Sequence, residues 1–140
     1  MGQIINSYQL CQPGAGGVLK PLIYCNPDED TRKNAISIEG IMLDALFKVR
    51  PKFRNQRLAR CFDAVLANLP AGSVLTHLDI LFNPAYKVDV LNMMIDACKR
   101  RNFSVIWPGK YKDGKLIYAE DGYSDYKVYD IEYYDVTCVL

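Results

Sequence analysis

A glycine-rich segment near the start of the chain is the first place where residue types could support phosphate chemistry. A phosphate-binding loop has the pattern G-x-x-x-x-G-K-S/T between a strand and a helix, so that backbone amides, a lysine and a magnesium-bound hydroxyl surround the phosphates. The residues that could serve here are Gly14, Gly16, Gly17 and Lys20. Leu19 stands where the second glycine belongs, Pro21 stands where the hydroxyl belongs, and no helix is predicted to follow. The motif is incomplete, and a flexible turn is the simpler interpretation.

A second group of polar residues interrupts the segment 73–82, which reads SVLTHLDILF and is predicted to be a central strand of a sheet. An ATPase would place a magnesium-binding acid at the end of such a strand. Asp79 is the only acid in this one, and three apolar residues follow it. Thr76 and His77 are the other interruptions, and His77 is the only histidine of the chain. A lone histidine without ligand-spaced acids or cysteines is usually structural, so we predict no catalytic residue and no metal site.

A basic stretch without any intervening acid is the third candidate. Its members are Arg50, Lys52, Arg54, Arg57 and Arg60. The last three recur every three residues, so on a helix they would share one face. Such a face suits nucleic-acid phosphates or an acidic protein surface, and the alternative is a solvated helix face. The later cations Lys99, Arg100 and Arg101 would extend the patch if the two helices were neighbours.

A tyrosine-rich tail is the fourth candidate, since seven of the ten tyrosines lie from residue 111 onward. The predicted docking residues are Tyr118, Tyr123, Tyr126 and Tyr129. Tyrosine is enriched at protein interfaces, and the acidic residues around these side chains argue against contact with DNA. The alternative interpretation is an edge hairpin whose tyrosines cover the core.

Strands and helices alternate along the chain, and these elements would have to position the four groups. Strands are predicted within the first ten residues and at 22–25, 73–82, 103–107 and 136–140. Helices are predicted at 38–49, with Ser37 as N-cap, at 58–69, and from Asn83 to about Arg101. The charged segment 28–34 predicts a loop, and Asp113-Gly114 predicts a hairpin turn. The order indicates an α/β fold with three layers, a mainly parallel sheet and a C-terminal β-hairpin at its edge.

Composition limits the classes of protein to which the chain could belong. Its 140 residues fit a single domain, 1–140, and half of them are apolar, which is enough for a core. A net charge of +1 gives no global attraction to nucleic acid or membrane. The five cysteines are odd in number and contain no C-x-x-C pair, which favours reduced thiols over disulfides or zinc. No signal-peptide layout and no membrane-length apolar run occurs, so a cytoplasmic location is expected.

The segment 78–129 resembles a known family. The matching residues are Leu81-Phe82-Asn83-Pro84, Arg101-Asn102, Val105-Ile106-Trp107-Pro108-Gly109, Gly114, Leu116, Tyr118-Ala119-Glu120, Gly122 and Tyr126. They are similar to those of BrxF, the small P-loop protein of type 3 bacteriophage-exclusion (BREX) systems. The segment 22–26 also resembles the strand that follows the first helix in that family. The likeness covers roughly the last 120 residues and does not include the first 20.

The departures from that family concern the nucleotide site. Family members carry a complete phosphate-binding loop and its helix, and this sequence has neither. The family's acidic magnesium residue would fall at Thr76, with His77 beside it. The resemblance therefore implies a degenerate P-loop NTPase-like fold that is kept for its surfaces and needs no cofactor, neither ATP nor magnesium.

The expected function is that of a non-catalytic, ATPase-like accessory or scaffold subunit in a bacterial anti-phage defence complex. The resemblance implies large partner proteins, such as an ATPase, a PglZ-type protein or a DNA methyltransferase, and hence an oligomer or hetero-complex without a membrane. Two alternatives stay open at this point. One is a DNA-binding module that uses the basic helix face. The other is an ATPase whose atypical nucleotide site is completed by a partner.

Overall fold

Among the described residues, six short strands form the main sheet, and every pairing between them is parallel. The computed structural model describes residues 2–5 and 21–140. The six strands are β1 (Gln3–Ile5), β2 (Leu22–Tyr24), β3 (Ile36–Ser37), β4 (Ser73–Thr76), β5 (Phe103–Ile106) and β9 (Thr137–Val139). Their spatial order is β1-β9-β2-β5-β4-β3. The predicted mainly parallel α/β arrangement is confirmed, and the C-terminal strand lies buried inside the sheet as expected.

A second, antiparallel sheet contains the predicted hairpin and one further strand. Its strands are β6 (Lys110–Lys112), β7 (Lys115–Tyr118) and β8 (Lys127–Asp130). Asp113 and Gly114 both have positive φ, 51° and 77°, as the two central residues of a tight hairpin turn must. The hairpin is therefore confirmed, with β8 added to its far edge.

One face of the parallel sheet is covered by helices. The helices are α1 (Glu29–Asn34), α2 (Glu39–Phe47), α3 (Arg54–Ala67) and α4 (Val90–Arg100). In the sheet, register partners place Leu75, Val105, Ile23 and Cys138 in one row, and all four are fully buried. Phe103 lies on the same face and meets Phe62 of α3 edge to face at 5.5 Å. Since α3 contacts both α2 and α4, these three helices form one layer over this row.

The opposite face of the sheet is more polar. Its central row contains Ser104 and Thr137, the two buried polar residues of the described chain. The connection from β2 to β3 crosses the sheet in the opposite direction to the connections from β3 to β4 and from β4 to β5. Because parallel crossovers are right-handed, this connection and its helix α1, which buries no residue, belong to the face opposite the other helices. The described residues thus show one well-packed helical layer, while the third layer of the prediction is represented only by α1.

Residues 73–82 do not form one strand, and this prediction was wrong. The strand ends at Thr76, His77 has a left-handed φ of 58°, and the residues Leu78–Phe82 form a 3-10 helix. The reason lies in the spacing of Leu78, Leu81 and Phe82, which is three and four and places all three side chains in the core. A continuous apolar run conceals this helical spacing.

Helix boundaries differ from the predictions where capping side chains decide them. Segment 28–34 is not a loop, because the Asp28 carboxylate accepts a hydrogen bond from the Thr31 amide and starts α1. Ser37 is not an N-cap but pairs with Thr76 in the sheet. Asn83 caps only the short 3-10 turn Pro84–Tyr86, and α4 begins at Val90 after its own cap, Asp89. No helix within residues 2–5 and 21–140 has the length and apolarity needed to cross a bilayer.

Candidate functional site

A crevice lies beyond the carboxyl ends of the central strands. From β2 the chain runs towards β3 at one edge of the sheet, and from β5 it runs towards β9 on the other side. Ligands of open α/β sheets bind at such a reversal of direction. The crevice has a volume of about 390 Å³ and is lined by residues that follow β2, β4 and β5, among them Cys25, Arg32, Thr76, His77, Asp79 and Trp107.

The acid of this crevice has a structural partner. The Tyr118 hydroxyl donates a hydrogen bond of 2.9 Å to Asp79 Oδ1, which ties the 3-10 helix after β4 to strand β7 of the second sheet. Burial and this hydrogen bond raise the pKa of Tyr118, so the tyrosine stays protonated and keeps donating. Asp79 thus holds two sheets together, which is a sufficient reason for an acid at this position.

The remaining polar groups of the crevice do not form a nucleophile–base pair. His77 is exposed, and its left-handed backbone turns the chain out of β4. Within the described part of the chain, no three His, Cys, Asp or Glu residues come together as metal ligands. The glycines Gly14, Gly16 and Gly17 and the lysine Lys20 of the incomplete phosphate motif lie outside the described residues.

A thiol pair borders the same crevice and was not anticipated from the sequence. Cys25 follows β2, and its amide bonds to the Val139 carbonyl of the adjacent β9 at 2.9 Å. The interaction between the two thiols lowers the pKa of Cys25, while the same interaction and burial raise the pKa of Cys138. Separation by 113 residues leaves no sequence signal for this contact, which depends on the pairing of β2 with β9.

Comparison with known proteins adds no assignment to this geometry. No family model, no curated protein and no solved structure matches the chain. A functional assignment therefore depends on the residues of the chain itself.

The five residues of the basic stretch do not act alike. Arg50, Lys52, Arg57 and Arg60 are exposed, but Arg54 is half-buried. Its Nε donates to the carbonyls of Leu46 and Val49 at 3.0 and 3.1 Å, so it closes the carboxyl end of α2. Arg54 is therefore a capping residue. Of the three arginines predicted to share one helical face, only Arg57 and Arg60 stay available to a partner.

The later cations do not extend this face, although α3 and α4 are neighbours. Arg100 forms two bonds of 3.0 Å to the Asp63 carboxylate of α3, and Arg101 donates to the Leu69 carbonyl, two residues after the end of α3. Lys99 pairs with Asp96 on its own helix at 3.7 Å. Arg100 and Arg101 therefore join α4 to α3 and the segment that follows it, while Lys99 is paired within α4.

A groove between α2 and α3 holds the cations that do stay free. It has a volume of about 530 Å³, and we call it the α2–α3 groove. Its floor is formed by the apolar side chains of Ala45, Val49, Cys61 and Val65. Its rim is formed by Ile41, Asp44, Lys48, Arg57, Arg60, Ala64 and Asn68. The rim therefore carries three cations and one carboxylate, and no described carboxylate lies within ion-pair distance of those cations.

The composition of α2 is the feature of the sequence that indicates this groove. Helix α2 reads EGIMLDALF and is apolar on all sides, yet only Met42 and Leu46 are buried. Ile41 is 41% exposed and Phe47 is 67% exposed. A helix that is apolar all round is normally covered on more than one side. The outward side of α2 is uncovered within the described structure.

The predicted docking tyrosines divide into two groups. Tyr118 and Tyr129 are buried, 7% and 5% exposed, and they pack with Phe82 and Trp107, as the core-covering alternative has it. Tyr129 has a buried hydroxyl that lies near the Val90 amide without reaching hydrogen-bond geometry. Tyr126 is half-buried, and Tyr123 is 68% exposed. Of the four, only Tyr123 has a ring freely available to a partner.

Proposed function

We propose that the chain is a non-catalytic, ATPase-like accessory subunit that docks within a bacterial anti-phage defence complex. The defence setting and the ATPase-like ancestry come from the resemblance of segment 78–129 to BrxF. The non-catalytic role has separate support from the geometry of the carboxyl-edge crevice.

The observation that carries the proposal is the hydrogen bond between Asp79 and Tyr118. Asp79 is the only acid of the 3-10 helix Leu78–Phe82 that follows β4, and the Tyr118 hydroxyl occupies one of its two oxygens. At the end of the strand itself, where the resembled family has its magnesium residue, this chain has Thr76 and the exposed His77. An acid that bonds to the second sheet, beside a strand end without a carboxylate, supports a fold kept for its surfaces rather than for hydrolysis.

A docking role is supported by how differently the surface charges are used. Carbonyl oxygens and one carboxylate of this chain accept hydrogen bonds from Arg54, Arg100 and Arg101. Arg57 and Arg60 have no such partner among the described residues and line the same groove as the exposed Ile41 and the apolar floor. Unpaired cations beside an apolar surface favour a protein partner, because phosphates alone would not cover the apolar part.

The proposal is tested by purifying the tagged protein from its native host with nuclease treatment and identifying what accompanies it by mass spectrometry. We expect neighbours encoded by the same defence system, in a fixed ratio that nuclease does not change. Recovery of the protein alone, or of partners that disappear on nuclease treatment, would contradict the proposal. The latter result would favour the DNA-binding alternative, whose affinity should fall steeply with salt.

A calorimetric titration with magnesium-ATP tests the non-catalytic part separately. We expect no heat of binding for the isolated chain, and for its purified complex we expect no binding that depends on Lys20, since a partner such as an ATPase would bind nucleotide on its own. Saturable binding to the complex that Lys20→Ala abolishes would overturn this part and support a nucleotide site completed by a partner. The exposed residue Lys112 provides the matched control, since Lys112→Ala removes the same charge on the second sheet.

A further inference from the structure

The α2–α3 groove has the dimensions of a site for a helix. Its volume is about 530 Å³. The nine residues of α2 make it about 14 Å long. Anchor side chains at positions i, i+3 or i+4, and i+7 of a bound helix span about 10 Å, so three anchors fit along this length.

The apolar surface of the groove requires an apolar anchor face. The floor side chains Ala45, Val49, Cys61 and Val65 leave no polar group for a ligand to pair with, apart from backbone. Ile41, on the rim, is 41% exposed. Three leucine-sized anchors would cover these side chains, and the burial would be favourable at about 25 cal/mol per Å².

The charge of the rim requires carboxylates beside those anchors. Lys48, Arg57 and Arg60 face one acid, Asp44, which leaves an excess of two positive charges in the rim. Charge complementarity of this kind selects the partner and speeds association. The segment 6–20 of the chain contains no Asp or Glu, so its composition does not match this requirement.

From this combination we propose that the α2–α3 groove binds an amphipathic helix of a partner protein, with an apolar stripe towards Ala45 and Val65 and with carboxylates towards Arg57 and Arg60. Duplex DNA fits less well, because an apolar, concave floor offers nothing to phosphates. A membrane surface fits less well, because a bilayer does not enter a groove between two helices. The inference extends the proposed docking function by giving the chemistry of the partner and its place of contact.

A fluorescein-labelled peptide tests this directly on the isolated protein. The probe is a 16-residue helix with leucines at i, i+3, i+7 and i+10 and glutamates on both flanks, and binding is followed by fluorescence anisotropy. We expect saturable binding that weakens as salt is added, because exposed ion pairs are screened. A scrambled peptide of the same composition and a peptide with lysines in place of the glutamates should each bind at least tenfold more weakly.

Two variants locate the site, and a third controls for charge. Arg57→Glu with Arg60→Glu should weaken binding at least tenfold by reversing the rim. Ala64→Trp, at an exposed position on the groove's edge, should do the same by filling it. Lys112→Glu with Lys115→Glu changes the net charge equally on the exposed hairpin and should leave the affinity within twofold. Circular dichroism and thermal melting establish that each variant is folded.

The proposal is overturned if the folded protein does not bind the probe, or if both groove variants bind it as tightly as the unaltered chain. It is also overturned if duplex DNA, anionic vesicles or a second copy of the chain occupies the groove in preference to the peptide. Co-purification of the groove variants separates this inference from the proposed function. If the groove variants retain the same partners in full, the docking function stands but the groove is not the docking site. If the probe binds the groove but no partner is recovered with the unaltered protein, the groove binds a helix but the proposed docking function is wrong.

Discussion

The α2–α3 groove differs in burial and in polar contacts from the aromatic cluster, which is formed by Phe82, Trp107, Tyr118, Tyr129 and Tyr134. Both regions combine aromatic or apolar residues with charge. In the cluster, Trp107 is 4% exposed and its Nε1 donates to the Ile117 carbonyl at 3.0 Å. In the groove, Ile41 on the rim is 41% exposed, and Arg57 and Arg60 have no partner among the described residues.

The difference separates a region whose side chains are packed within the chain from a region whose side chains remain available to a partner. Two hydroxyl groups of the cluster bond to neighbouring elements: Tyr118 donates to Asp79, and Tyr134 donates to Asp89 at 2.7 Å, whereas the buried Tyr129 hydroxyl has no hydrogen-bond partner among the described residues. Stacking of Phe82 on Tyr118 at 4.0 Å and the edge-to-face contact of Phe82 with Trp107 fill the space between them. The cluster belongs to the hydrophobic core and joins the second sheet to it, whereas the groove has an apolar floor and cations without a partner among the described residues.

The largest expected effect comes from removing the centre of the cluster. Trp107→Ala should lower the free energy of unfolding by about 3–5 kcal/mol, because a buried indole and its hydrogen bond are lost together. Phe47→Ala, which removes an exposed aromatic ring of α2, should lower it by less than about 1 kcal/mol, because most of this ring already faces water. Urea denaturation followed by circular dichroism measures both. Equal losses for the two variants would mean that the outward side of α2 is packed as tightly as the cluster.

Glycines in the two regions give the next largest contrast. A Cβ at Gly109 would collide with the Ile117 carbonyl oxygen, so Gly109→Ala should cost about 1–3 kcal/mol by forcing strand β7 away from Trp107. A Cβ at Gly40 in α2 would have nothing within 4 Å, so Gly40→Ala should stabilise the protein by about 0.5–1 kcal/mol. Thermal melting gives both signs. A stabilising Gly109→Ala would show that the two sheets are not held in close contact.

Substitution of two arginines of the basic stretch tests whether the groove cations contribute to the stability of the fold. Arg54→Ala should cost about 1–2 kcal/mol, because Arg54 serves two carbonyls at the end of α2 and lies over the Phe47 ring at 5.3 Å. Arg57→Ala should change the free energy of unfolding by less than about 0.5 kcal/mol, as is usual for an exposed unpaired charge. Chemical denaturation of the two single variants measures the difference. A cost for Arg57→Ala as large as that for Arg54→Ala would assign Arg57 a structural role instead.

These pairs also show how far the sequence predicts the molecule. The Asp113-Gly114 hairpin, the parallel sheet and the buried final strand follow from local turn chemistry and the alternation of elements, and the structure confirms them. The separation of Arg54 from Arg57 could not be predicted, because it depends on where the carbonyls of another helix end. The break after Thr76 was hidden because an apolar run reads as a strand whether or not its spacing is helical.

The sequence identifies the residue types of the candidate site, but it does not predict where these residues lie in the fold. The basic residues were found by their uninterrupted run, and the groove beside them was indicated only by the all-round apolarity of α2. The tyrosines were found by their number, but which of them are buried depends on Phe82 and Trp107, residues far away in the sequence. Contacts between Cys25 and Cys138, or Tyr118 and Asp79, exist only after the sheets have formed.

The smallest expected effect separates two tyrosines of the tail by their dependence on pH. Burial and the hydrogen bond to Asp89 raise the pKa of Tyr134 to about 12, whereas an unfolded tyrosine has a pKa of about 10. The native state therefore holds this proton more tightly, so the stabilisation is fully present below about pH 10 and is lost as the pH rises towards 12. Tyr134→Phe should cost about 0.5–1.5 kcal/mol at pH 8, and the deficit should shrink between pH 10 and 12.

Melting temperatures of both proteins between pH 8 and 11.5 measure this difference, and ionisation of the other side chains cancels in the comparison. Tyr123→Phe is the control, because the Tyr123 ring is 68% exposed and should show no deficit at any pH. A constant deficit for Tyr134→Phe across the range would mean that the Asp89 contact does not retain the proton. In that case Tyr134 would belong with the exposed tyrosines, and the boundary between the completed core and the available surface would have to be drawn inside the aromatic cluster.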